Sequence, residues 1–486
     1  MSVVDTLPRM TPDMLTSLGD AAPSYDRSRL EPRILHIGPG AFFRAHQADH
    51  VDRLNVIDPV WGITGLSLRS TSVSDALQPQ GGLYTLVTLD DRISARVIGS
   101  LIAVHHAGEP DVLALFGAQE LRLITLTITE KGYCLGADGS LDVGHPDIQA
   151  DLANPSVPTS AIGWLVAGLS LRLKSGLPAP IILSCDNLSG NGEKLRAAVL
   201  GLARLKDETL ADWIEAECLF PSSMVDSITP ATDDALRARV RDMLGVDDAW
   251  PIQREAFTDW VIERVDDPRM PAFDKVGAVF TDDVAGFEQA KLRLLNGPHS
   301  TLAYYGLALG FASVSEAISD PEMNAFIAAL MRSEIAPTLN PPASLDLEKY
   351  QADLLRRFAN PAIVHKLSQI AWDGSKKLPI RLLATIADNL AADRSIQRLC
   401  VGVAAWWRFV IRATRNGTEL VDPLADKLRQ HASTTRNEAH HDVAVMLSLT
   451  EIFPERIAGS ARVKAELCDA YARVLDAERR AHGGAK

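Results

Sequence analysis

Lys291-Leu-Arg-Leu-Leu-Asn296-Gly-Pro-His299 is the segment of this 486-residue chain whose residue types and spacing bear most directly on chemistry. At about 100° per helical residue, Lys291 and His299 lie about 80° apart in projection, close enough to address one cavity. Gly297-Pro298 is expected to perturb the helix at that point. A lysine desolvated against apolar neighbours loses its proton near neutral pH and acts as a general base. An asparagine such as Asn296 supplies neutral donors to the alkoxide that develops as hydride leaves carbon. Taken alone, such a triple reads first as a solvated lysine, a helix-end asparagine and a core histidine. A second asparagine sharpens the case. The apolar run Ile181-Ile-Leu-Ser184 ends in Cys185-Asp186-Asn187, at the carboxyl edge where open α/β sheets place ligands. Thr129-Glu130-Lys131-Gly132-Tyr133 falls on the same expected edge.

A nucleotide signal lies upstream. Arg33-Ile-Leu-His-Ile37 reads as a strand and runs directly into Gly38-Pro-Gly40-Ala-Phe42-Phe43-Arg44. Gly38 and Gly40 allow a tight turn and close approach of backbone N–H groups to a pyrophosphate, with a helix N-terminus behind it. Phe43 stands where the third fingerprint glycine is expected. The second strand ends in Leu68-Arg69-Ser70-Thr71-Ser72, with no carboxylate before Asp75 to hold an adenosine ribose. Arg69 and its neighbouring hydroxyls suit a 2′-phosphate, so this stretch leaves NAD and NADP both open.

The elements that must carry these residues are legible in outline. Residues 33–37, 61–68, 121–128 and 181–184 read as buried strands, and 111–119 and 162–174 as helices between them, which is the alternation of an open α/β sheet. Past about residue 285 helical periodicity dominates, in 287–295, 322–331, 347–358, 396–414 and 461–480. Two domains are expected, a Rossmann-type unit over 1–284 and a mostly α-helical unit over 285–486. The uncharged stretch 299–315 is short and diluted for a membrane span and reads as a buried helix.

Composition narrows the function class. Forty-nine Lys+Arg against 62 Asp+Glu leave no cationic excess for nucleic acid or an anionic membrane. Five scattered cysteines with no C-x-x-C pattern point to reduced thiols and a cytoplasmic protein. His46-Gln-Ala-Asp-His50 lacks the glutamate base of a zinc protease, and no Walker phosphate loop occurs. No metal site is predicted. No coiled-coil seam distinguishes a monomer from a homodimer.

These segments together resemble the mannitol dehydrogenase family of polyol-specific long-chain dehydrogenases. The resemblance covers nearly the whole chain and rests on residues 36–47, 127–133, 184–187, 224–226 and the Lys291…Asn296…His299 spacing. It implies metal-independent hydride transfer with NAD(H), Lys291 as general acid/base, Asn187 and Asn296 as alkoxide donors, and His299 positioning substrate. It also implies Glu288 as an aid to proton movement, with Asp226 and Lys377 at the substrate. Gly38, Gly40, Phe42, Arg44 and Arg69 are the implied coenzyme contacts. Within the family, 130–134, 160–163 and 373–383 look more like fructuronate reductases than mannitol 2-dehydrogenases, as does Gln369. The expected substrate pair is therefore D-fructuronate/D-mannonate, with D-mannitol/D-fructose as the alternative. Lys376, Lys377 or Arg381 would meet the sugar-acid carboxylate.

Overall fold

The computed structural model describes residues 7–363 and 365–482. The chain forms two compact units, Met1–Ala285 and Gly286–Lys486. Among the described residues the first unit holds the strands β1 (Glu31–Ile37), β2 (Trp61–Ser67), β3 (Tyr84–Leu89), β4 (Ser94–Ile98), β5 (Leu101–His106), β6 (Leu123–Leu126), β7 (Ile181–Ser184), β8 (Ser223–Asp226), β9 (Ile252–Glu255), β10 (Asp259–Glu263) and β11 (Val279–Thr281).

Five of these form an all-parallel sheet in the order β5-β2-β1-β6-β7. The order reverses between β1 and β6, so a crevice opens at their carboxyl ends. Alternate side chains of the sheet enter two cores. Leu35, Ile37, Ile124, Leu126 and Ile182 pack with helices Ala161–Lys174, Asn191–Lys206 and Glu208–Glu217. Ile34, Leu123, Ile181 and Leu183 pack on the other face with Phe43, Ala48, Val51 and Leu54. Both faces are thus covered, which is why the strands read as near-continuous apolar runs.

His36 is the polar exception on β1. Its Nδ1 lies 2.7 Å from Thr125 Oγ1 and its Nε2 3.0 Å from Thr127 Oγ1, so it staples β1 to β6. Phe43 stacks on its ring at 3.5 Å. The residue that replaces the third glycine therefore packs on the strand it follows.

Several boundaries depart from the sequence reading. The expected strand 121–128 is ordered as β6 only over Leu123–Leu126. The expected helix 111–119 is a 3-10 turn, Val112–Gly117. Arg172 donates to the carbonyls of Phe116 and Ala118, at 2.7 and 2.9 Å, and satisfies acceptors there without another helical turn. Two further sheets, β4-β3-β9 and β11-β10-β8, lie outside the α/β alternation that the sequence suggested.

The second unit is helical. Helix Gly297–Leu309 is apolar on all sides and packs against helices Gln397–Arg415 and Ala461–His482. The approach is close where Gly402 faces Thr301, since a Cβ on Gly402 would sit 2.6 Å from Thr301 Oγ1. No helix among the described residues is long and apolar enough to cross a membrane. The helix expected over 287–295 is split. Val284–Ala290 is α-helical, whereas Lys291–Asn296 is a π turn leading into Gly297. Pro298 lacks an N–H and its ring crowds the carbonyl four residues back, which disfavours the α register just before it. Two more π turns, Met331–Ile335 and Pro379–Leu383, pack beside the first. They meet at Gly297, where a Cβ would lie 3.2 Å from Arg381 O and 3.7 Å from Ile335 Cδ1.

Glu334 of the second π turn is fully buried. Its carboxylate accepts from the N–H groups of Arg398 (3.0 Å) and Leu399 (2.9 Å), in the first turn of helix Gln397–Arg415. Glu334→Ala leaves those buried donors without an acceptor and should cost about 3 kcal/mol, read from denaturant unfolding. Burial holds the His36 imidazole down at about 3. Its folded value lies below the unfolded one, so its stability contribution is complete above the unfolded value of ~6.5 and is lost as pH falls from there toward the folded value. Between pH 7 and pH 5 this amounts to roughly 2 kcal/mol. Urea midpoints should fall over that interval, and His36→Asn should flatten the fall.

Candidate active site

The turn after β1 opens the crevice. Gly38 has φ of +90°, and a Cβ there would lie 2.3 Å from Thr127 O. Its glycine is required by the neighbouring strand end and by the left-handed backbone. Gly40 is different: its φ is −74°, and the nearest atom to an added Cβ is Gly38 O at 3.8 Å. The space beside Gly40 is open to a ligand. Helix Ala41–Ala45 begins there with no side-chain cap, so its first amide N–H groups are available to an anion.

A cavity of about 350 Å³ lies at the carboxyl edge of β1, β2 and β6, lined among others by Gly38, Arg69, Ser70, Thr129, Lys131 and Ser160. Glycine backbone, hydroxyls and cations around such a space fit the phosphate and adenosine parts of a dinucleotide. Arg69 is largely exposed and pairs with Asp147 at 3.2 Å. Asp75, the nearest carboxylate after β2, is held by Thr71 Oγ1 at 2.7 Å and does not line this cavity. Gly40, Phe42 and Arg44 belong to the turn without lining the cavity. Phe42 stacks on His46 at 5.1 Å. Arg44 is buried, donates to Trp250 O at 2.9 Å and lies over the rings of Tyr84 and Trp250. Its guanidinium thus packs on the turn from inside the fold.

Asp186 joins two of the sequence motifs. Its buried carboxylate accepts from Ile128 N (3.1 Å), Thr129 N (2.7 Å) and Tyr133 Oη (2.8 Å). Burial raises its pKa despite these donors. Thr129 has φ of +66°, a strained conformation for a β-branched residue, and Asp186 holds its N–H. Asn191 ties the next strand end in, with Nδ2 donating to Asp186 O and Ser223 O and Oδ1 accepting from Ser223 N. Asn187 is exposed directly after Asp186, and Asp226 is buried at the end of β8. Ser160 caps helix Ala161–Lys174 by accepting from Gly163 N at 2.8 Å, which gives the 160–163 motif a local structural role.

In the second unit, Lys291 and Asn296 are the first and last residues of the π turn, and Glu288 lies in the α-helical turn before it. The turn is anchored by Arg293, which donates to Thr338 Oγ1 (2.7 Å) and Asp388 (2.6 Å). His299 follows in helix Gly297–Leu309 and shares its surroundings with four cationic or basic residues. Its ring lies 4.8 Å from that of His365 and 5.4 Å from that of Phe358. Burial first, then His365, Arg381, Arg357 and Lys377, hold its pKa well below the ordinary histidine value. The imidazole is therefore neutral, and its shielded Nε2 has no hydrogen-bond partner among the described residues. Arg381 donates to Ser300 Oγ at 3.0 Å while its Nε is buried and unpartnered. Lys377 donates to Ile370 O at 3.2 Å, and burial, then Arg381, lower its pKa against the pull of Asp373 and Asp422. Lys376 and Gln369 are exposed. His365, Arg357 and Phe358 were not anticipated from sequence. The only local signal was the basic, aromatic end of helix Leu347–Phe358.

Two family models divide the chain between them. That of the mannitol dehydrogenase Rossmann domain matches residues 32–272, and that of the mannitol dehydrogenase C-terminal domain matches residues 283–475. D-mannonate oxidoreductase from Escherichia coli (strain K12) is 38% identical over 478 residues, covering 96% of this chain and 98% of its own. A mannitol 2-dehydrogenase from Aspergillus fumigatus (strain CBS 144.89 / FGSC A1163 / CEA10) is 36% identical over 466 residues, 92% of each chain. Among solved structures, the Pseudomonas fluorescens mannitol 2-dehydrogenase ternary complex with NAD and D-mannitol superposes with a TM-score of 0.78 at 36% identity, covering 98% of this chain and 100% of that one.

Proposed function

Since the chain belongs to the mannitol dehydrogenase family of oxidoreductases, we propose that it is a metal-independent NAD(H)-linked secondary-alcohol dehydrogenase of a sugar acid, interconverting D-fructuronate and D-mannonate. The observation that carries the choice of substrate is the basic cluster around His299. Arg381, Arg357, Lys377 and His365 all act on that one ring. Arg381 and Lys377 each have their charged form disfavoured first by burial, and a bound carboxylate would favour it. A polyol brings no such charge. Arg381 offers a planar fork with an unpartnered Nε, and Lys377 a half-buried ammonium.

A bound nicotinamide supplies the hydride acceptor for oxidation and the donor for reduction. Lys291 takes the hydroxyl proton as the alcohol becomes a ketone, and returns it in the opposite direction. Asn187 and Asn296 donate to the oxygen as negative charge develops, and their neutrality lets them do so without fixing the alkoxide as an ion pair. Neutral His299 orients a substrate hydroxyl through its Nε2. Glu288 and Asp226 complete the proposed set, as an aid to proton movement and as a substrate contact. Arg69 admits NADP as a second coenzyme. Five buried cysteines, none paired with another, suit a reducing cytoplasm.

The deciding measurement is initial rates of NADH and NADPH oxidation with D-fructuronate, D-tagaturonate and D-fructose in parallel. The proposal expects turnover with a uronate, whereas turnover with fructose alone would move the protein to the mannitol/fructose pair. Arg381→Ala should raise the KM for the uronate by about ten- to a hundredfold, the loss of one charge-assisted hydrogen bond. Lys291→Ala should lower kcat by about 10²- to 10⁴-fold, and near-wild-type activity in that variant would overturn its role.

A further inference from the structure

The loop that leaves the coenzyme cavity carries three side chains for which the reaction has no use. Cys134 ends the 3-10 turn Glu130–Tyr133 with φ of +52°. The chain then folds back on it: Asp142 N–H donates to Cys134 O at 2.8 Å, Leu135 bridges Leu141, and Gly136 N–H donates to Ser140 O. His145 follows as the N-cap of helix Pro146–Ala153, with Asp147 in its first turn. Through this fold one ligand atom each of Cys134, His145 and Asp147 comes within 4.8 Å of the other two. His145 Nδ1 accepts from Asp147 N at 3.2 Å as the helix cap, so ligation by this ring would replace that bond.

The donor set is a thiol, an imidazole and a carboxylate, the mixture that suits Zn²⁺ and is poor for Mg²⁺ or Ca²⁺. The local field is favourable to a cation. Burial first, then Asp147, Asp151 and Asp142, raise the Cys134 thiol against Arg69, and the same carboxylates would favour a bound cation. Three protein donors leave a fourth position for water. Cys134 and Asp147 also line the 350 Å³ cavity, and Cys134 and His145 line a second, more open cavity of about 760 Å³. An ion therefore has an approach from solvent through the second cavity and sits in the wall of the first.

We propose that Cys134, His145 and Asp147 form a zinc site whose occupation opposes coenzyme binding. Binding releases the Cys134 proton to solvent and draws Asp147 away from Arg69, its partner at 3.2 Å. The ion and its water then occupy the side of the cavity against which a dinucleotide would lie. Opposition is reciprocal, so NADH equally weakens zinc. This linkage, unlike zinc binding itself, rests on reading the cavity as the coenzyme's.

The test uses the full chain freed of metal by a chelator. Titration with Co²⁺ should give a thiolate-to-cobalt charge-transfer band that saturates at one equivalent, is lost in Cys134→Ser, and is reached with about tenfold weaker affinity or worse in His145→Ala. Titration of NADH, followed by its fluorescence, should give a higher Kd with Zn²⁺ than without it in the wild type, and the same Kd in Cys134→Ser. The absence of a thiolate band, or a band that survives Cys134→Ser, overturns the site. A normal band with an unmoved NADH Kd overturns the linkage. Failure of NADH to bind the metal-free protein removes the coenzyme reading and leaves the cobalt result standing.

Discussion

The buried carboxylate of Asp186 takes three hydrogen bonds from the loop that follows β6, while its own carbonyl takes a fourth from Asn191. Much of the first unit's functional edge depends on that arrangement. Parallel strands end in loops that nothing in the sheet ladder constrains, yet the chemistry requires several of those loops to hold fixed positions together. Here one desolvated acid holds a strained Thr129, orients Tyr133 and places Asn187 next in line. Asn191 extends the constraint to the end of β8 and thus to Asp226. The cost is a carboxylate out of water, and the three donors offset it.

The second unit solves its positioning problem differently. Its Lys291–Asn296 segment is wound as a π turn and packed against two other π turns, with Gly297 as the common point of contact. A wide turn misaligns backbone groups that an α-helix would pair internally, and side chains take up some of them. Asn389 donates to Glu334 O and Thr338 to Ile335 O. The second π turn is thus held by side chains, and the first by Arg293 to Thr338 and Asp388. A rigid backbone beneath Lys291 and Asn296 is what their proposed roles would require.

What the sequence disclosed followed from local physics. The strand into Gly38 and the strand into Asn187 were readable because apolar runs stop abruptly at polar, turn-forming residues. Helix 347–358 was readable to the residue because its apolar period is regular. The π turns were not, since Pro298 announces a disturbance without saying in which direction the register shifts. That Trp250 and Tyr84, far away in sequence, enclose Arg44 was not legible in its glycine turn. His365 and Phe358 were missed for the same reason: their relation to His299 exists only through packing. The triad Cys134, His145 and Asp147 fits no standard metal spacing, because a loop that folds back on itself sets its geometry.

Helix Gly297–Leu309 has a consequence for the order in which the protein can form during synthesis. It is uncharged, and its partners are Gln397–Arg415 and Ala461–His482. While the ribosome is still producing the residues between, the first unit already has the strands and helices of its own sheet and can fold. The segment bearing Asn296 and His299 is completed later, because two of the helices that bury it come near the end of the chain. Val314–Ser319 and Leu367–Ile370 can cover part of this helix early. Its faces toward Gln397–Arg415 and Ala461–His482 stay open until those helices are made, a condition under which chains associate wrongly or recruit chaperones. Full cover of this helix is thus among the final properties the nascent chain acquires.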